Sequence, residues 1–384
     1  MPIRVLPTTG SPDDAAGVGD ALARVLVAGA KEALSVLPLG PAPLRESLQA
    51  AVRPDLPAPD GVALVVPTSG STGAPTGVLL SADALRWSAE AVTHALGAPS
   101  GWVLALPVTH VGGLMVLVRA RLAGAEVSAV DLRGGFTTAG FDEAVAGLPP
   151  GRAVASLVPT QLARLLAERS DGLAGLDAVL LGGAAAPAAL LEQAEAAGVR
   201  VVRSYGMTET CGGCVLDGRP LRGVGVSVVG GRVRLAGPML ADARRVGGRD
   251  EPLAGPDGWF GTPDAGTWDG RRLAVTGRLD DVLVSGGVNV PLAAVEAILA
   301  SHPAILEAGC VGEPDPVWGA RVVAAVVPRD PAAAPTTEQV RAFVRDRSEP
   351  AYAPARVVLV EALPRPAPGK VDRTALRALV EERS

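Results

Sequence analysis

The stretch Thr68–Gly77 combines residue types that suit a phosphate ligand. It reads Thr-Ser-Gly-Ser-Thr-Gly-Ala-Pro-Thr-Gly and contains three glycines, five hydroxyl side chains and no carboxylate. Glycines allow backbone N–H groups to converge on an anion, and hydroxyls add further donors. The stretch lacks the Lys-Ser or Lys-Thr pair that ends a Walker-type P-loop. These residues predict a phosphate-binding loop, with a flexible surface loop as the alternative.

A second stretch, Ser204–Thr210, suits a nucleotide base and a metal ion. Tyr205 is one of two tyrosines in the chain and stands beside a glycine, so its ring has room to stack on a base. Glu209 offers the hard oxygen ligand that Mg²⁺ prefers. Thr208 adds a hydroxyl donor. The alternative interpretation is an ordinary loop with a helix cap.

Asp264 and Arg278 form a third candidate group. A carboxylate can accept hydrogen bonds from both hydroxyls of a ribose, and a guanidinium can meet a phosphate. An Asp–Arg ion pair in a turn explains the same residues without any ligand.

Lys370 is unusual because only Lys31 and Lys370 are lysines among the 35 basic residues. It lies in Pro-Arg-Pro-Ala-Pro-Gly-Lys, where prolines stiffen an exposed loop. An ammonium group can follow moving oxygens in a way that a planar guanidinium cannot. A solvated surface lysine is the alternative.

The Cys211-Gly-Gly-Cys214 segment has the C-x-x-C spacing of zinc and redox sites. Zinc needs a second pair of ligands, and none is evident nearby in the sequence. We therefore expect reduced thiols without a metal or redox role.

Composition places limits on the class of protein. The 384 residues predict two or three domains, and 48% hydrophobic residues allow a large core. A net charge of -5 gives no support to nucleic-acid binding. The N-terminus has no signal-peptide pattern, and no apolar run approaches the ~20 residues of a membrane span. We expect a soluble cytoplasmic protein.

The elements around the phosphate stretch predict an α/β fold. An apolar, strand-like run at 62–66 precedes it, and Ser81 has the type of a helix N-cap after it, so we expect a strand-to-helix loop. From 61 to about 235, apolar runs alternate with helical patterns. That rhythm predicts parallel βαβ units, with ligands at the carboxyl ends of the strands.

The flanking segments have different patterns. Residues 14–36 read as one helix and 44–52 as a shorter one. Residues 224–275 read as short strands with Gly/Pro/Asp turns, which predicts a small β subdomain. From about residue 280, two helices alternate with strands in a small α+β domain.

Taken in order, the four stretches resemble the acyl-adenylate-forming superfamily of acyl-CoA synthetases, luciferases and peptide-synthetase adenylation domains. The resemblance runs from about residue 62 to the end of the chain. It implies a large N-terminal domain, 1–279, and a small mobile C-terminal domain, 280–384, with a hinge near Asp280. It also implies that ATP, with Mg²⁺, activates a carboxylic acid as an acyl-adenylate before the acyl group moves to coenzyme A.

The resemblance assigns roles position by position. The implied ATP-binding residues are Thr68, Ser69, Gly70, Ser71, Thr72, Gly73, Gly77, Gly182, Gly183, Ala184, Tyr205, Gly206, Asp264 and Arg278. The implied catalytic residues are Lys370, Glu209, His110 and Thr208. Glu209 and Thr72 would hold Mg²⁺, Thr208 would touch the α-phosphate, and Lys370 would bridge carboxylate and α-phosphate.

The acyl and thiol sites follow from the same resemblance. The implied acyl-site residues are His110, Ser204, Gly206 and Thr210, with Arg203 as a further candidate. The residues implied for the hinge and the coenzyme A step are Asp280, Ser285, Gly286 and Gly287. His110 would lie near the substrate carboxylate, although a lone histidine is more often structural.

Two departures from the superfamily pattern stand out. The phosphate loop usually reads Pro-Lys-Gly, whereas this chain has Thr76 in place of the lysine. The missing cation predicts weaker binding on the pyrophosphate side or a slower first step. The region before the loop is also short, which predicts that much of the usual N-terminal subdomain is absent.

Within the superfamily, the segment 204–221 resembles actinobacterial o-succinylbenzoate–CoA ligases of menaquinone biosynthesis. This resemblance implies small-molecule partners only: a carboxylic acid, ATP and coenzyme A, with no nucleic acid or membrane span and with a homodimer left open. Three alternatives remain at this point. The acid is a different aryl or alkyl acid, the acceptor is a carrier protein, or the chain is a degenerate nucleotide-binding protein without activity.

Overall fold

The computed structural model describes residues 1–27, 30–68, 76–285, 288–365 and 371–383. The chain divides into two compact units. The first comprises Met1–Ser227, Arg234–Gly261 and Gly270–Leu273, and the second comprises Val228–Val233, Thr262–Asp269 and Ala274–Ser384.

Helices and strands alternate through both units. The helices are α1 (Pro12–Val25), α2 (Ala42–Val52), α3 (Ala82–Ala95), α4 (Val111–Ala123), α5 (Thr138–Ala146), α6 (Pro159–Ala167), α7 (Ala188–Ala196), α8 (Leu292–Ala300), α9 (Thr337–Arg345) and α10 (Arg373–Glu381). The strands are β1 (Ile3–Thr8), β2 (Ala33–Pro38), β3 (Val62–Thr68), β4 (Thr76–Ser81), β5 (Gly101–Leu104), β6 (Glu126–Ala129), β7 (Ala153–Leu157), β8 (Ala178–Leu181), β9 (Val201–Met207), β10 (Gly212–Leu216), β11 (Arg219–Pro220), β12 (Gly225–Val229), β13 (Arg232–Ala236), β14 (Ala243–Val246), β15 (Arg249–Pro252), β16 (Phe260–Trp268), β17 (Leu273–Arg278), β18 (Val282–Ser285), β19 (Val288–Pro291), β20 (Ile305–Asp315), β21 (Gly319–Pro328) and β22 (Arg356–Leu359).

A seven-stranded sheet carries the largest group of candidate residues. Its order is β11-β10-β9-β8-β7-β5-β6, and the strands β5 to β9 are all parallel. Helices cover both faces, so β7 and β8 are buried along their whole length. The predicted parallel βαβ units are confirmed. Because parallel strands end at the same edge, the segments after β5, β8 and β9 lie along one edge of this sheet.

A six-stranded sheet in the order β1-β2-β3-β4-β14-β15 corrects the prediction for the phosphate stretch. The stretch does not lead from a strand into a helix. It lies between β3 and β4, which pair antiparallel from Val62↔Ser81 to Thr68↔Thr76. Val78, Leu79 and Leu80 form a second, fully buried strand before α3 begins. Ser81 is the N-cap of α3, as predicted, and its hydroxyl accepts from Ala84 N–H at 3.4 Å.

The single helix predicted over 14–36 is also wrong. Helix α1 ends at Val25, and β2 follows as a parallel strand between β1 and β3. Residues Ala33–Leu37 are buried on both faces of the strand, which is typical of a central parallel strand and has no alternation to reveal it. The shorter helix predicted over 44–52 is confirmed as α2.

The short strands predicted over 224–275 exist but do not form one subdomain. Strands β12, β13, β16 and β17 make a four-stranded sheet in that order, whereas β14 pairs with β4 of the six-stranded sheet. The final segment is the predicted α+β fold, with sheet order β19-β18-β21-β20 and β22 parallel to β21. The predicted fold class is confirmed. None of the helices in the described ranges is long and apolar enough to cross a bilayer.

Candidate active site

Glu209 lies at the carboxyl end of β9, in a single 3₁₀ turn, Thr208–Thr210. Its side chain is 12% exposed and pairs with Arg244 of β14, whose side chain is 36% exposed. Nε and Nη2 of Arg244 donate to the same oxygen, Oε1, at 3.0 and 2.7 Å. The guanidinium carbon of Arg244 also lies 5.1 Å from the centre of the Phe260 ring. The carboxylate is therefore held by one oxygen, in a recess that is only partly open to water.

The turn that presents Glu209 is fixed by the buried hydroxyl of Thr210. This hydroxyl accepts from Met207 N–H at 2.9 Å and donates to the Gly212 carbonyl at 2.7 Å. Its bonds are local, so they position the turn. The acyl-site role implied for Thr210 stays a prediction.

The residue after the turn has unusual backbone geometry. Cys211 has φ of 50° although it carries a side chain, and a non-glycine residue in this region needs support from its surroundings. Ser88 of α3 supplies part of that support, because its buried hydroxyl donates to the Cys211 carbonyl at 2.9 Å. The helix after the phosphate stretch thus contacts the turn that carries Glu209.

Gly206 is required by the pairing of β9 with β10. A Cβ at this position would lie 2.0 Å from the Gly212 carbonyl oxygen, closer than any side chain allows. A Cβ at Gly213 would likewise lie 1.9 Å from the Ser204 hydroxyl oxygen. The candidate residues Ser204, Tyr205 and Gly206 therefore stand on a strand end where two backbones come unusually close.

Gly182, Gly183 and Ala184 follow β8 directly, at the same edge of the sheet. Gly182 N–H donates to the Leu157 carbonyl at 3.0 Å, which extends the pairing with β7 by one residue. Gly183 has φ of +82° and turns the chain away from the sheet. These implied ATP-binding residues thus follow the strand beside β9, which carries Tyr205, and their nucleotide role stays a prediction.

His110 is the N-cap of α4, after strand β5. It is exposed, and its Nδ1 lies 2.9 Å from the Thr109 hydroxyl oxygen. Although His110 is exposed to solvent, nearby protein atoms reduce the hydration of the charged ring, and this desolvation lowers the pKa of His110 below its ordinary value. Gly113, in the first turn of α4, has no room for a Cβ, which would lie 2.4 Å from the Pro107 carbonyl oxygen. The neutral form of the ring is therefore favoured, and a closely packed loop presents it.

The two ends of the phosphate stretch face each other across β3 and β4. The hydroxyl oxygens of Thr68 and Thr76 are 3.2 Å apart. A Cβ at Gly77 would lie 2.8 Å from the Ala51 carbonyl oxygen, so this glycine is needed for packing against α2. Several candidates lie outside the described residues: Ser69, Gly70, Ser71, Thr72, Gly73, Gly286, Gly287 and Lys370.

The remaining candidates belong to the second unit. Asp264 lies on β16 and Arg278 ends β17, and these two strands are neighbours in one sheet. Asp264 N–H donates to the Thr262 hydroxyl at 3.1 Å. Asp280 belongs to a 3₁₀ turn, Leu279–Asp281, which leads into β18. Ser285, at the end of β18, is buried.

Arg203 and the cysteines have simpler surroundings. The Arg203 guanidinium pairs with Asp217 at 3.2 Å on the surface. Cys211 and Cys214 are free and buried. Burial raises the pKa of Cys214 to about 12 and also raises the pKa of Cys211. Such thiols remain protonated and are poor ligands and nucleophiles.

Two protein-family models match the sequence of this chain. The profile described as AMP-binding enzyme matches residues 11–246, and the profile for the AMP-binding enzyme C-terminal domain matches residues 294–370. The chain belongs to the AMP-binding enzyme family. The first match begins well before residue 62, so the AMP-binding enzyme similarity includes the β1–β3 region, beyond the extent predicted from the motifs.

Individual AMP-binding enzymes resemble the chain over most of its length. A protein of Mycobacterium tuberculosis named probable 2-succinylbenzoate–CoA ligase is 44% identical over 362 residues, which covers 93% of each chain. The Bacillus subtilis o-succinylbenzoate CoA synthetase (MenE), solved with the acyl-adenylate OSB-AMP, superimposes with a TM-score of 0.83 and 25% identity, covering 98% of this chain and 87% of that one. The same B. subtilis enzyme with ATP and magnesium ion gives a TM-score of 0.73 and 29% identity, with coverage of 83% and 70%.

Sequence patterns did not reveal the partners of the candidate residues in this AMP-binding enzyme. Arg244 reaches Glu209 from a strand 35 positions away, and Ser88 reaches Cys211 across 123 positions. Neither residue lies in a recognisable motif. One sequence feature did indicate a possible partner. Arg244 and Arg245 are adjacent, and because side chains alternate along a strand, one arginine must point to each face of the sheet.

Proposed function

We propose that this protein is an AMP-forming acid–CoA ligase that converts o-succinylbenzoate to o-succinylbenzoyl-CoA in menaquinone biosynthesis. The observation that carries the proposal is the 44% identity to the M. tuberculosis protein over 93% of both chains. The line of candidate residues along one edge of the parallel sheet supports it, because ligands of such sheets bind at that edge.

The proposed reaction has two steps. A carboxylate oxygen of the acid attacks the α-phosphorus of ATP, the bond to the β-phosphate oxygen breaks, and pyrophosphate leaves. The sulfur of coenzyme A then attacks the acyl carbonyl of the adenylate, the thiol loses its proton, and AMP leaves with the electron pair of the broken C–O bond. The protein must bring two anions together in the first step and expose the adenylate to a thiol in the second.

Glu209 fits the role of magnesium ligand. In the described part of the chain, no cluster of three His, Cys, Asp or Glu side chains could hold a metal by itself. Mg²⁺ in phosphoryl-transfer sites is commonly held by one or two carboxylates together with substrate phosphates, and a single glutamate that is 12% exposed suits that arrangement. When bound, the ion neutralises charge on the phosphates. Glu209 contributes an oxygen whose direction is set by Thr210 and Arg244.

His110 is proposed to bind the substrate carboxylate as a neutral donor. When the Thr109 hydroxyl donates to Nδ1, the neutral ring carries its proton on Nε2. That proton can hydrogen-bond a carboxylate oxygen without adding a full positive charge to the site. The lowered pKa of His110 favours this form.

The remaining groups are proposed to come from later in the chain. Asp264 and Arg278 would bind the ribose and phosphate side of the nucleotide, and Lys370 would bridge carboxylate and α-phosphate in the first step. Residues 1–279 and 280–384 would act as separate domains, with Asp280 as the hinge that replaces Lys370 by the segment at 285–287 for the thiol step. We also propose a cytoplasmic location, in keeping with the free cysteines, and a protein that does not bind nucleic acid.

The test is incubation of the purified protein with ATP, Mg²⁺, coenzyme A and o-succinylbenzoate, followed by mass spectrometry of the products. We expect o-succinylbenzoyl-CoA, AMP and pyrophosphate in equal amounts. Acid-dependent ATP–pyrophosphate exchange over a panel of aryl and alkyl acids tests the substrate. If another acid supports faster exchange than o-succinylbenzoate and no o-succinylbenzoyl-CoA forms, o-succinylbenzoate is rejected as the substrate, but the enzyme class stands. If no acid in the panel supports ATP–pyrophosphate exchange, the enzyme class is rejected.

A further inference from the structure

The ion pair between Arg244 and Glu209 leaves part of the guanidinium unused. Both donated hydrogen bonds come from Nε and Nη2 and end on Oε1. Within the described ranges, Nη1 has no hydrogen-bond partner, and the side chain is 36% exposed. Its position is nevertheless fixed, because the guanidinium lies 5.1 Å from the buried Phe260 ring. Arg244 is thus an ordered cation with a free donor.

The sheet places Arg244 on the same face as Thr76, at the end of the phosphate stretch. Arg244 of β14 lies opposite Val78 of β4. Thr76 is two residues before Val78 and therefore points to the same face. Diagonal neighbours of this kind are within reach of a long side chain. The next arginine, Arg245, points to the other face, where it is buried and pairs with Asp250 at 2.7 Å.

The phosphate stretch itself has no cation. Residues 68–77 contain neither lysine nor arginine, although a bound triphosphate brings several negative charges to the site. A guanidinium binds phosphate oxygens through two parallel donors, which makes arginine well suited to this task. Arg244 is the basic residue that β14 presents on the face shared with Thr76 and Glu209.

We propose that Arg244 binds the β- and γ-phosphates of ATP in this enzyme. Before ATP binds, Arg244 holds Glu209 by Oε1. With ATP bound, Nη1 of Arg244 would donate to the phosphate oxygens while Nε and Nη2 keep Oε1 of Glu209, and Oε2 of Glu209 would be left for Mg²⁺. The inference rests on the proposed function, since it requires ATP as substrate. It explains how a chain with Thr76 at the end of its phosphate loop neutralises pyrophosphate.

The experiment compares the binding of ATP and AMP by calorimetry in the parent, Arg244→Met and Arg249→Met. Arg249 is an exposed arginine on the neighbouring strand β15 and serves as the control for loss of one charge. We expect Arg244→Met to raise the Kd for ATP about tenfold, both with Mg²⁺ and with a chelator, because charged hydrogen bonds are lost. The Kd for AMP, which has no β- or γ-phosphate, should change less than twofold. Arg249→Met should leave both values unchanged.

Two further variants separate phosphate binding from support of the fold. Arg244→Lys keeps the charge and should retain most of the ATP affinity. Thr76→Lys in the Arg244→Met background returns a cation to the same face and should restore at least half of the lost affinity. Circular dichroism and thermal unfolding of each variant show that the fold is intact.

The outcomes are distinct. Equal ATP affinity in parent and Arg244→Met overturns the inference, and so does an equal loss for ATP and AMP, which marks a purely structural residue. A parent that binds ATP but forms no thioester rejects the proposed function and leaves the role of Arg244 standing. A parent that binds no ATP rejects both.

Discussion

The Glu209 carboxylate is presented by a turn that is held from several directions. Thr210 bonds the backbone on both sides of the turn, and Ser88 holds the Cys211 carbonyl. Arg244 fixes the carboxylate itself through Oε1. Residues that bind a metal or a reacting group work best when their own contacts restrict them beforehand. The structure around Glu209 therefore supports a functional carboxylate more strongly than the residue type alone.

Thr210→Val tests how far the turn depends on its buried hydroxyl. Valine has nearly the same shape but leaves Met207 N–H without its 2.9 Å acceptor. We expect the free energy of unfolding to fall by about 1–3 kcal/mol, the usual cost of a buried unpaired group. Chemical denaturation measures it, with the exposed Thr374→Val as the matched control. Equal stability of the two variants would mean that the hydroxyl does not hold the turn.

The two lysines provide a direct test of the first step. Lys370→Ala should reduce acid-dependent ATP–pyrophosphate exchange by about a hundredfold, since removal of one donor to developing charge costs about that much. Lys31→Ala, at an exposed position before β2, should leave exchange unchanged. Exchange that is equal in Lys370→Ala and the parent would refute the bridging role.

At the scale of helices and strands, the sequence predicted the elements that have a local, repeated pattern. Strands β5 to β9 are short apolar runs separated by helices, and this rhythm alone predicts a parallel sheet with a site at its carboxyl edge. Strands β2 and β4 were missed, because a central buried strand has no alternating pattern to distinguish it from neighbouring helix or loop.

The sequence did not predict which distant strands pair, because such pairing depends on contacts that form only in the complete fold. Strand β14 joins β4 across more than 160 residues, and its short polar sequence suits either of two sheets. The motifs predicted Glu209 and His110 as site residues but not Arg244, whose position depends on that pairing. Local sequence shows which groups can do chemistry, whereas the long-range contacts that hold them depend on the completed fold.

Gly206 offers a test of the strand end that carries Tyr205. Gly206→Ala would place a Cβ 2.0 Å from the Gly212 carbonyl oxygen, so β9 and β10 must separate there. We expect a loss of more than about 2 kcal/mol in the free energy of unfolding. Gly17→Ala, in the middle of α1 with no atom within 4 Å of the new Cβ, should instead stabilise by about 0.5–1 kcal/mol. Urea denaturation measures the free energy of unfolding of both variants. An unchanged value for Gly206→Ala would contradict the close approach of β9 and β10.

At the scale of the whole molecule, the candidate residues are divided between two units. Glu209 and His110 belong to the first, whereas Asp264 and Arg278 belong to the second. The proposed domains, 1–279 and 280–384, divide the chain differently, because they leave Asp264 and Arg278 on the same side of the hinge as Glu209. The proposed hinge turn, Leu279–Asp281, lies between β17 and β18 within the second unit. Movement at a short turn of this kind is a common way to exchange one catalytic group for another between two steps.

Asp280→Pro tests whether that turn is the hinge. Proline holds φ near about −65° and restricts the preceding residue, so it blocks the backbone rotation that a hinge requires. We expect one step to survive and the other to fail: pyrophosphate exchange within about threefold of the parent, and thioester formation reduced more than about tenfold. Asp280→Ala removes the same side chain but leaves the backbone free, and it should retain both steps. An equal loss of exchange and thioester formation in Asp280→Pro would instead indicate local damage to the fold, and unchanged rates of both would place the hinge at another residue.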